Sequence, residues 1–346
     1  MNKRIARMNI IDLNQKVGLM ESLQLEGLEC HHYRGKADFQ KLSDLINRCR
    51  EADGLEEYHS AEELEVMYSH LNNCDLSRDF LMVEVNGKPV AYHRVFWWID
   101  SRSGDYIYSI IWTIDPIWRQ SELGIVLFHL GEMRLREIAK DHPSEVKKHF
   151  DTGCWDTQKE FSIIVENAGF QPIRVHYSME RKNLDNIPII SLPEGLEVHV
   201  ALPTQYRQVW EASVEAFRDH WGFSEPTEED YQAWVGSPQF NPSLWQVAWD
   251  GDQVAGMVLN YIDEKENERF GKMRGWTENI CVRRPYRKRG VAKALIARSL
   301  WMLKDMGYQG ARLGVDAQNL SGALQLYQSM GYEVVRSMTI FRKSIE

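Results

Sequence analysis

Between Arg284 and Leu295 the chain reads RPYRKRGVAKAL, with five cations (Arg284, Arg287, Lys288, Arg289 and Lys293) around one glycine in a protein of formal net charge −9. The run Arg287-Lys288-Arg289-Gly290-Val291-Ala292 follows a predicted strand and opens a predicted helix. The first turn of a helix has unpaired N–H groups and a positive dipole end, a combination that binds phosphate. Gly290 and Ala292 add no bulk to hold a pyrophosphate away. The same residues also make a solvated basic cap, and the loop alone does not separate the two readings. It carries neither a GxxxxGK[ST] nor a GxGxxG pattern. A second cluster, ECHHY at Glu29 to Tyr33, holds metal-ligand types, but no further cluster at zinc spacing follows, so no metal is expected. The five cysteines (Cys30, Cys49, Cys74, Cys154 and Cys281) are an odd number without a CxxC pair. That pattern predicts free thiols in a reducing, cytoplasmic compartment.

The elements that must position such a loop occur twice. EGLECH at Glu26 to His31 returns as EGLEVH at Glu194 to His199, 168 positions later (26 to 194). TIDPIWR at Thr113 to Arg119 answers CVRRPYR at Cys281 to Arg287 with the same offset. VEVNGKPVAY (Val83 to Tyr92) answers VAWDGDQVAG (Val247 to Gly256), each an apolar alternation around a hairpin dipeptide. AGFQPIRVHYSMERK (Ala168 to Lys182) answers MGYEVVRSMTIFRK (Met330 to Lys343). Four matches in one order predict a tandem repeat. The expected layout is an extension at 1–24, a first domain at 25–184, a Pro-bearing linker at 185–193 and a second domain at 194–346. The 346 residues suit two domains at the usual allowance of roughly 150 residues each.

In the second copy the pattern predicts a strand, a long helix through 204–221, a short helix near 227–235 and a hairpin at 245–262. A polar loop at 263–275, the strand Trp276 to Val282 and the basic loop follow. The helix after it buries a stripe of Val291, Leu295, Met302 and Met306. A strand at 311–317, a helix ended by Gly331 and a last hairpin complete the copy. Alternating strands and helices predict an α/β (α+β layered) fold, each domain a mixed sheet flanked by helices.

Downstream of the loop stands VDAQNLSGALQLYQSMGY, Val315 to Tyr332. Arg287-x-x-Gly290-x-Ala292 followed by Asn319, Ala323, Leu326, Tyr327, Gly331 and Tyr332 resembles the GCN5-related N-acetyltransferases. Their acetyl-CoA loop is Gln/Arg-x-x-Gly-x-Gly/Ala and their later motif is Asn-x-x-Ala…Leu-Tyr-x-x-x-Gly-Phe/Tyr. The resemblance covers about 194–346 with both motifs in order, and covers the first copy only in outline. The tandem arrangement resembles that of the mycothiol synthases, without implying their substrate.

The resemblance implies transfer of an acetyl group from acetyl-CoA directly to an amine, the co-substrate held by the loop from Arg287 through Lys288, Arg289, Gly290 and Val291 to Ala292. Backbone amides at the end of the preceding strand, Ile280, Cys281 and Val282, polarise the thioester carbonyl. Cys281 is not a covalent nucleophile. Tyr327 is the candidate acid for the departing thiolate, or else a packed helix tyrosine. Glu278 is the candidate base, directly or through water, or else a charge at the sheet rim; period-2 alternation puts it on one face with Ile280 and Val282. Asp219, His220 and Trp221 form the expected acceptor wall, or else a helix C-terminus. Asn319 and Ala323 lie beside the pantetheine, with helix capping as the plain role of Asn319.

The first copy departs at each of these places. Its loop, WRQSELGIVLF at Trp118 to Phe128, has five steps from Arg119 to Gly124 against three from Arg287 to Gly290, and Glu122 adds a negative charge. Glu278 corresponds to Ile110, Tyr327 to Val165 and Asn319 to Thr157. The first copy is therefore expected not to be catalytic, and to support the second or close its acceptor cleft. The leading expectation is an acetyl-CoA-dependent N-acetyltransferase acting on a small, mildly favoured cationic amine. A protein or peptide N-acetyltransferase and a non-catalytic acyl-CoA sensor are the competing readings. Acidic composition disfavours nucleic acid. No run approaches the roughly 20 apolar residues of a membrane helix, and the N-terminal stretch lacks the apolar core of a signal peptide.

Overall fold

The computed structural model describes residues 23, 25–319 and 321–345. Most of the expected extension at 1–24 lies outside the described residues. The first half runs β1 (Leu28–His31), α1 (Ala37–Ala52), α2 (Ala61–Ser69), α3 (Leu76–Asp79), β2 (Phe80–Val85), β3 (Lys88–Ile99), β4 (Tyr106–Ile114), α4 (Leu123–Ala139), β5 (Lys148–Trp155), α5 (Lys159–Asn167) and β6 (Gln171–Arg181). The second runs β7 (Glu197–Val198), α6 (Tyr206–Phe217), α7 (Glu228–Gly236), β8 (Gln246–Asp250), β9 (Gln253–Tyr261), α8 (Glu264–Phe270), β10 (Arg274–Val282), α9 (Val291–Asp305), β11 (Gly310–Asp316), α10 (Ala323–Ser329) and β12 (Glu333–Ser344).

All these strands join one mixed sheet, in the order β1-β2-β3-β4-β5-β12-β6-β11-β10-β9-β8-β7. Read inward from its two edges, the sheet repeats the same sequence of strands. Only the innermost pair is exchanged. β12, the last strand of the second copy, pairs with β5 of the first, and β6, the last strand of the first copy, pairs with β11 of the second. β6 and β12 then pair antiparallel with each other at the centre. The covalent linker and the spatial seam are therefore different places.

Local chemistry explains most boundaries. Asn86 and Gly87 both take positive φ, the I′ geometry that closes the β2–β3 hairpin. Capping boxes, Ser60 with Glu63 and Thr227 with Asp230, start α2 and α7. Both faces of the sheet are buried: Met82 packs under α1 and α2, and its neighbour Val83 under α4. In the second half α9 covers one face through Val291, Leu295, Leu300 and Leu303, while α6 covers the other with Val209 and Ala212.

Four expectations are corrected. The polar stretch after β9 is not a loop: α8 forms there, Asp263 accepting from the Glu266 N–H (2.8 Å) and Gly271 ending it in the left-handed region. No final hairpin exists, since β12 is a single 12-residue strand. The long helix stops at Phe217, so Asp219, His220 and Trp221 belong to the turn beyond it. On α9 the buried stripe continues through Leu300 and Leu303, and Met306 is exposed.

Candidate active site

The parallel ladder between β10 and β11 is short, pairing Arg274–Trp276 with Gly310–Arg312, after which the strands part. On its other side β10 pairs with β9, and the register slips between Glu278 and Cys281. Asn279 takes φ 47° within that slip, the mark of a bulge. The bulge corrects the even alternation expected from Glu278 to Val282. Residues 279 and 280 stand in neither ladder register, so both meet the opening. Across the gap the Gly314 N–H donates to Glu278 Oε1 at 3.1 Å.

The opening is a cleft of about 460 Å³. Its walls bring together Glu278, Ile280, Asn319, Ala323 and Tyr327 from the predicted site, and His220 and Trp221 with them. Burial raises the Glu278 carboxyl to about 7; the Gly314 and Asn279 N–H groups oppose this, and the nearby charge of Glu57 adds to it. Tyr327 is buried, and its phenol is pushed above the ordinary tyrosine range by burial and then by the Glu278 charge. Burial holds the Cys281 thiol at about 12, which leaves it neutral and a poor nucleophile.

Past the end of β10, Lys288 and Gly290 both take positive φ and turn the chain into α9. No side chain caps the first turn of α9. A Cβ built on Gly290 would meet nothing within 4 Å, so the space over that turn is open. Lys288 and Arg289 are exposed there. Arg287 is used otherwise: its Nε donates to Val282 O (3.0 Å), one Nη to Ala216 O (3.0 Å) and the other to Asp219 (3.2 Å). Its guanidinium ties β10 to the end of α6, and the loop offers an anion its backbone rather than this side chain.

Residues 206–332 match the acetyltransferase (GNAT) family. The matched stretch, in the second half of the chain, is a GNAT acetyltransferase domain. A mycothiol acetyltransferase of Geodermatophilus obscurus is 25% identical across 83% of this chain and 88% of its own length. One of Streptomyces scabiei is 28% identical, across 44% of this chain and 47% of that protein. A GCN5-related N-acetyltransferase from Sphaerobacter thermophilus superimposes with a TM-score of 0.68 at 26% identity, covering 92% of this chain and 95% of that one. A tandem GNAT protein from the clavulanic acid pathway shares the fold at a TM-score of 0.61 and 12% identity, over 92% and 98% of the two chains.

Within this GNAT domain the structure separates the expected acceptor wall. His220 and Trp221 line the cleft. Asp219 does not: Arg284 and Arg287 bind it outside, and their hydrogen bonds hold its carboxyl below the usual range. Asn319 caps no helix: it accepts from the Ser321 N–H (2.8 Å), while α10 starts at Ala323 behind Gly322. Trp221 is flanked by two guanidinium groups, Arg174 at 5.2 Å and Arg342 at 5.4 Å from its ring.

Several wall residues carry no signal in the sequence. Glu57 and Trp155 come from the first half, and His176 and Met338 from the two exchanged strands. A strand exchange leaves each copy's own pattern unchanged, so nothing in the repeat announces these neighbours.

The corresponding gap in the first half is closed. There β4 and β5 pair from Tyr106 to Ile110 against Lys148 to Thr152, two positions further than β10 and β11. At the positions matching Ile280 and Ala323 stand Trp112 and Phe161, whose rings lie 4.4 Å apart, with Phe128 at 5.0 Å from Trp112. A Cβ on Gly124 would meet Ile114 and Ile164 at 2.9 and 3.0 Å, so that helix start is packed over. Arg119, the matching arginine, is paired with the buried Asp53.

Proposed function

We propose that the second domain transfers an acetyl group from acetyl-CoA directly to the primary amine of a small molecule, and that the first domain, 25–184, is non-catalytic and walls the acceptor site. The observation that carries this reading is the placement of Glu278 and Tyr327 in one cleft at the split between β10 and β11. The open, uncapped start of α9 suits the phosphates of the co-substrate. Glu278 takes the proton from the amine. The amine nitrogen bonds to the acetyl carbon as the carbon–sulfur bond breaks. Amides from Ile280 in the bulge to Val282 at the end of β10 polarise the carbonyl. Tyr327 donates a hydrogen bond to the departing thiolate. A phenol this far above an ordinary thiol, near 8.5, does not give up its proton downhill, so its role is donation rather than complete transfer.

Glu57 and Trp155 of the first half add to the walls of the cleft, which favours a small acceptor over a protein substrate. The relatives named mycothiol acetyltransferases support the same choice. All five cysteines are unpaired, in keeping with a reducing cytoplasm. The test is a panel of primary amines with acetyl-CoA, reading released thiol. Turnover of at least one small amine is expected; CoA binding with no turnover on any amine, small or peptide-borne, would favour a sensor.

Two further results are expected. Tyr327→Phe lowers kcat by on the order of 10²-fold, the usual loss for one donor to a developing anion, with a much smaller change in the KM for acetyl-CoA. An unchanged kcat removes Tyr327 from the reaction. Calorimetry with CoA gives one site per chain, because Trp112 and Phe161 occupy the first domain's groove. Two sites would show that the groove opens.

A further inference from the structure

Glu57 is a charged residue of the non-catalytic half that meets the reacting cleft. It lies between α1 and α2 in a segment clamped by both halves. Arg274 and Arg312 of the second half donate to Glu56 O at 2.9 and 2.7 Å. Asn47 and Ser43 of the first half donate to His59 O at 2.8 and 2.7 Å, and the His59 N–H donates back to Asn47 at 2.9 Å. Leu55 is buried just before it. Glu57 is thus presented to the cleft by a backbone fixed on either side, the condition for a pre-organised contact. Its carboxylate is paired with Arg50 and lies 4.0 Å from Arg312.

We propose that Glu57 is a specificity-determining residue for the acceptor: with Glu278 it forms a two-carboxylate site that takes the amine in its ammonium form. The proposal rests on the amine reading above and deepens it. Burial works against the charge of Glu57, but Arg50 and Arg312 outweigh it, so Glu57 stays ionised at neutral pH. His59 beside it is held down to about 4, chiefly by burial, and adds no cation there. Glu278 is also faced by Arg312 of β11, Tyr261 of β9, Tyr327 of α10 and Tyr332 ahead of β12. Among these neighbours Arg312 is the cation, and its guanidinium is already engaged by Glu56 O, by Ser178 (3.0 Å) and by the Trp276 ring (4.7 Å). An arriving ammonium therefore meets the ionised Glu57, whose carboxylate it shares with Arg50, and one carboxylate able to accept its proton. The ammonium proton passes to Glu278, leaving the neutral amine beside the thioester; as the nitrogen bonds to the acetyl carbon, its next proton goes to the departing thiolate, which leaves as the thiol.

The test compares the unsubstituted protein and Glu57→Gln on two probes of one skeleton: benzylamine, an ammonium at neutral pH, and O-benzylhydroxylamine, uncharged there. In Glu57→Gln the KM for benzylamine rises roughly tenfold, the scale of one charge contact in a partly screened cleft. The KM for O-benzylhydroxylamine changes less than about twofold. The acid limb of kcat/KM moves down by roughly half a unit or more, because a negative neighbour of Glu278 is gone. Arg50→Gln, which keeps Glu57 and removes its counter-charge, moves the limb upward and lowers the benzylamine KM, and it serves where Glu57→Gln does not fold. Equal KM changes for both probes, an unmoved limb, or the same direction of shift in both variants overturns the proposal. If the unsubstituted protein turns over neither probe nor any amine of the panel, the amine reading itself fails, a result distinct from turnover without charge selection.

Discussion

Glu278→Gln lowers kcat by on the order of 10²–10⁴-fold, the usual contribution of a positioned base, and the activity that remains loses its acid limb. In the unsubstituted protein that limb inflects near 7, because burial brings the Glu278 carboxyl to about 7. Glutamine keeps an oxygen that accepts from the Gly314 N–H, so the split between β10 and β11 keeps its bridge. The loss is then chemical rather than structural. Stability supplies an independent reading of opposite sign. The folded carboxyl titrates above its unfolded value, so its ionisation opposes folding. The penalty is absent below the unfolded value near 4.5, grows as pH rises, and is complete above about 7. Glu278→Gln is therefore more stable than the unsubstituted chain at pH 8, by on the order of 1–3 kcal/mol, with the difference vanishing by pH 4. Denaturant melts at the two pH values check this. A pH-independent gap, or a retained acid limb in kcat/KM, rejects Glu278 as the titrating base.

The parts of this site that were legible in the sequence depend on local order along the chain. Glu278, Ile280, Asn319, Ala323 and Tyr327 stand at fixed spacings within one copy, and the fold brings those segments to one cleft. Charge pairing is different. Asp219 and Arg287 are each reasonable ligands by residue type, but they satisfy each other outside the cleft. A sequence gives the charges without their partners. The bulge is equally silent, since an asparagine tolerant of left-handed backbone is its one trace at Asn279. α8 has no apolar period to reveal it, and its signals are the cap Asp263 and the terminating Gly271. Glu57 was illegible for the deepest reason: its neighbours in the cleft are set by how two copies dock, not by either copy.

Docking by strand exchange also fixes what can be cut away. A fragment of residues 185–346 begins at the seam suggested by the repeat, and it is expected not to fold into a CoA-binding domain. It lacks β6, which pairs with β11 from His176 to Arg181 on one side and with β12 on the other. Without β6, β11 becomes an open edge and β12 loses both neighbours. Roughly a dozen ladder hydrogen bonds at about 1 kcal/mol each exceed half of an ordinary domain's stability of 5–15 kcal/mol. Met179 would leave the core around α9 and α10. Arg181, which donates to Met330 O, Asn183 O and Asp185 O, would no longer hold the end of α10. The pair Arg174–Asp316 beside the cleft would go as well. A fragment of residues 168–346 begins directly after α5 and keeps β6, so β11, β6 and β12 can reassemble in their native order. It is expected to unfold cooperatively and to bind CoA, while losing the charge selection that Glu57 would bring. Circular dichroism melts and CoA calorimetry on the two fragments decide the matter. Cooperative folding of 185–346 would mean that the exchanged strand is dispensable to the second domain.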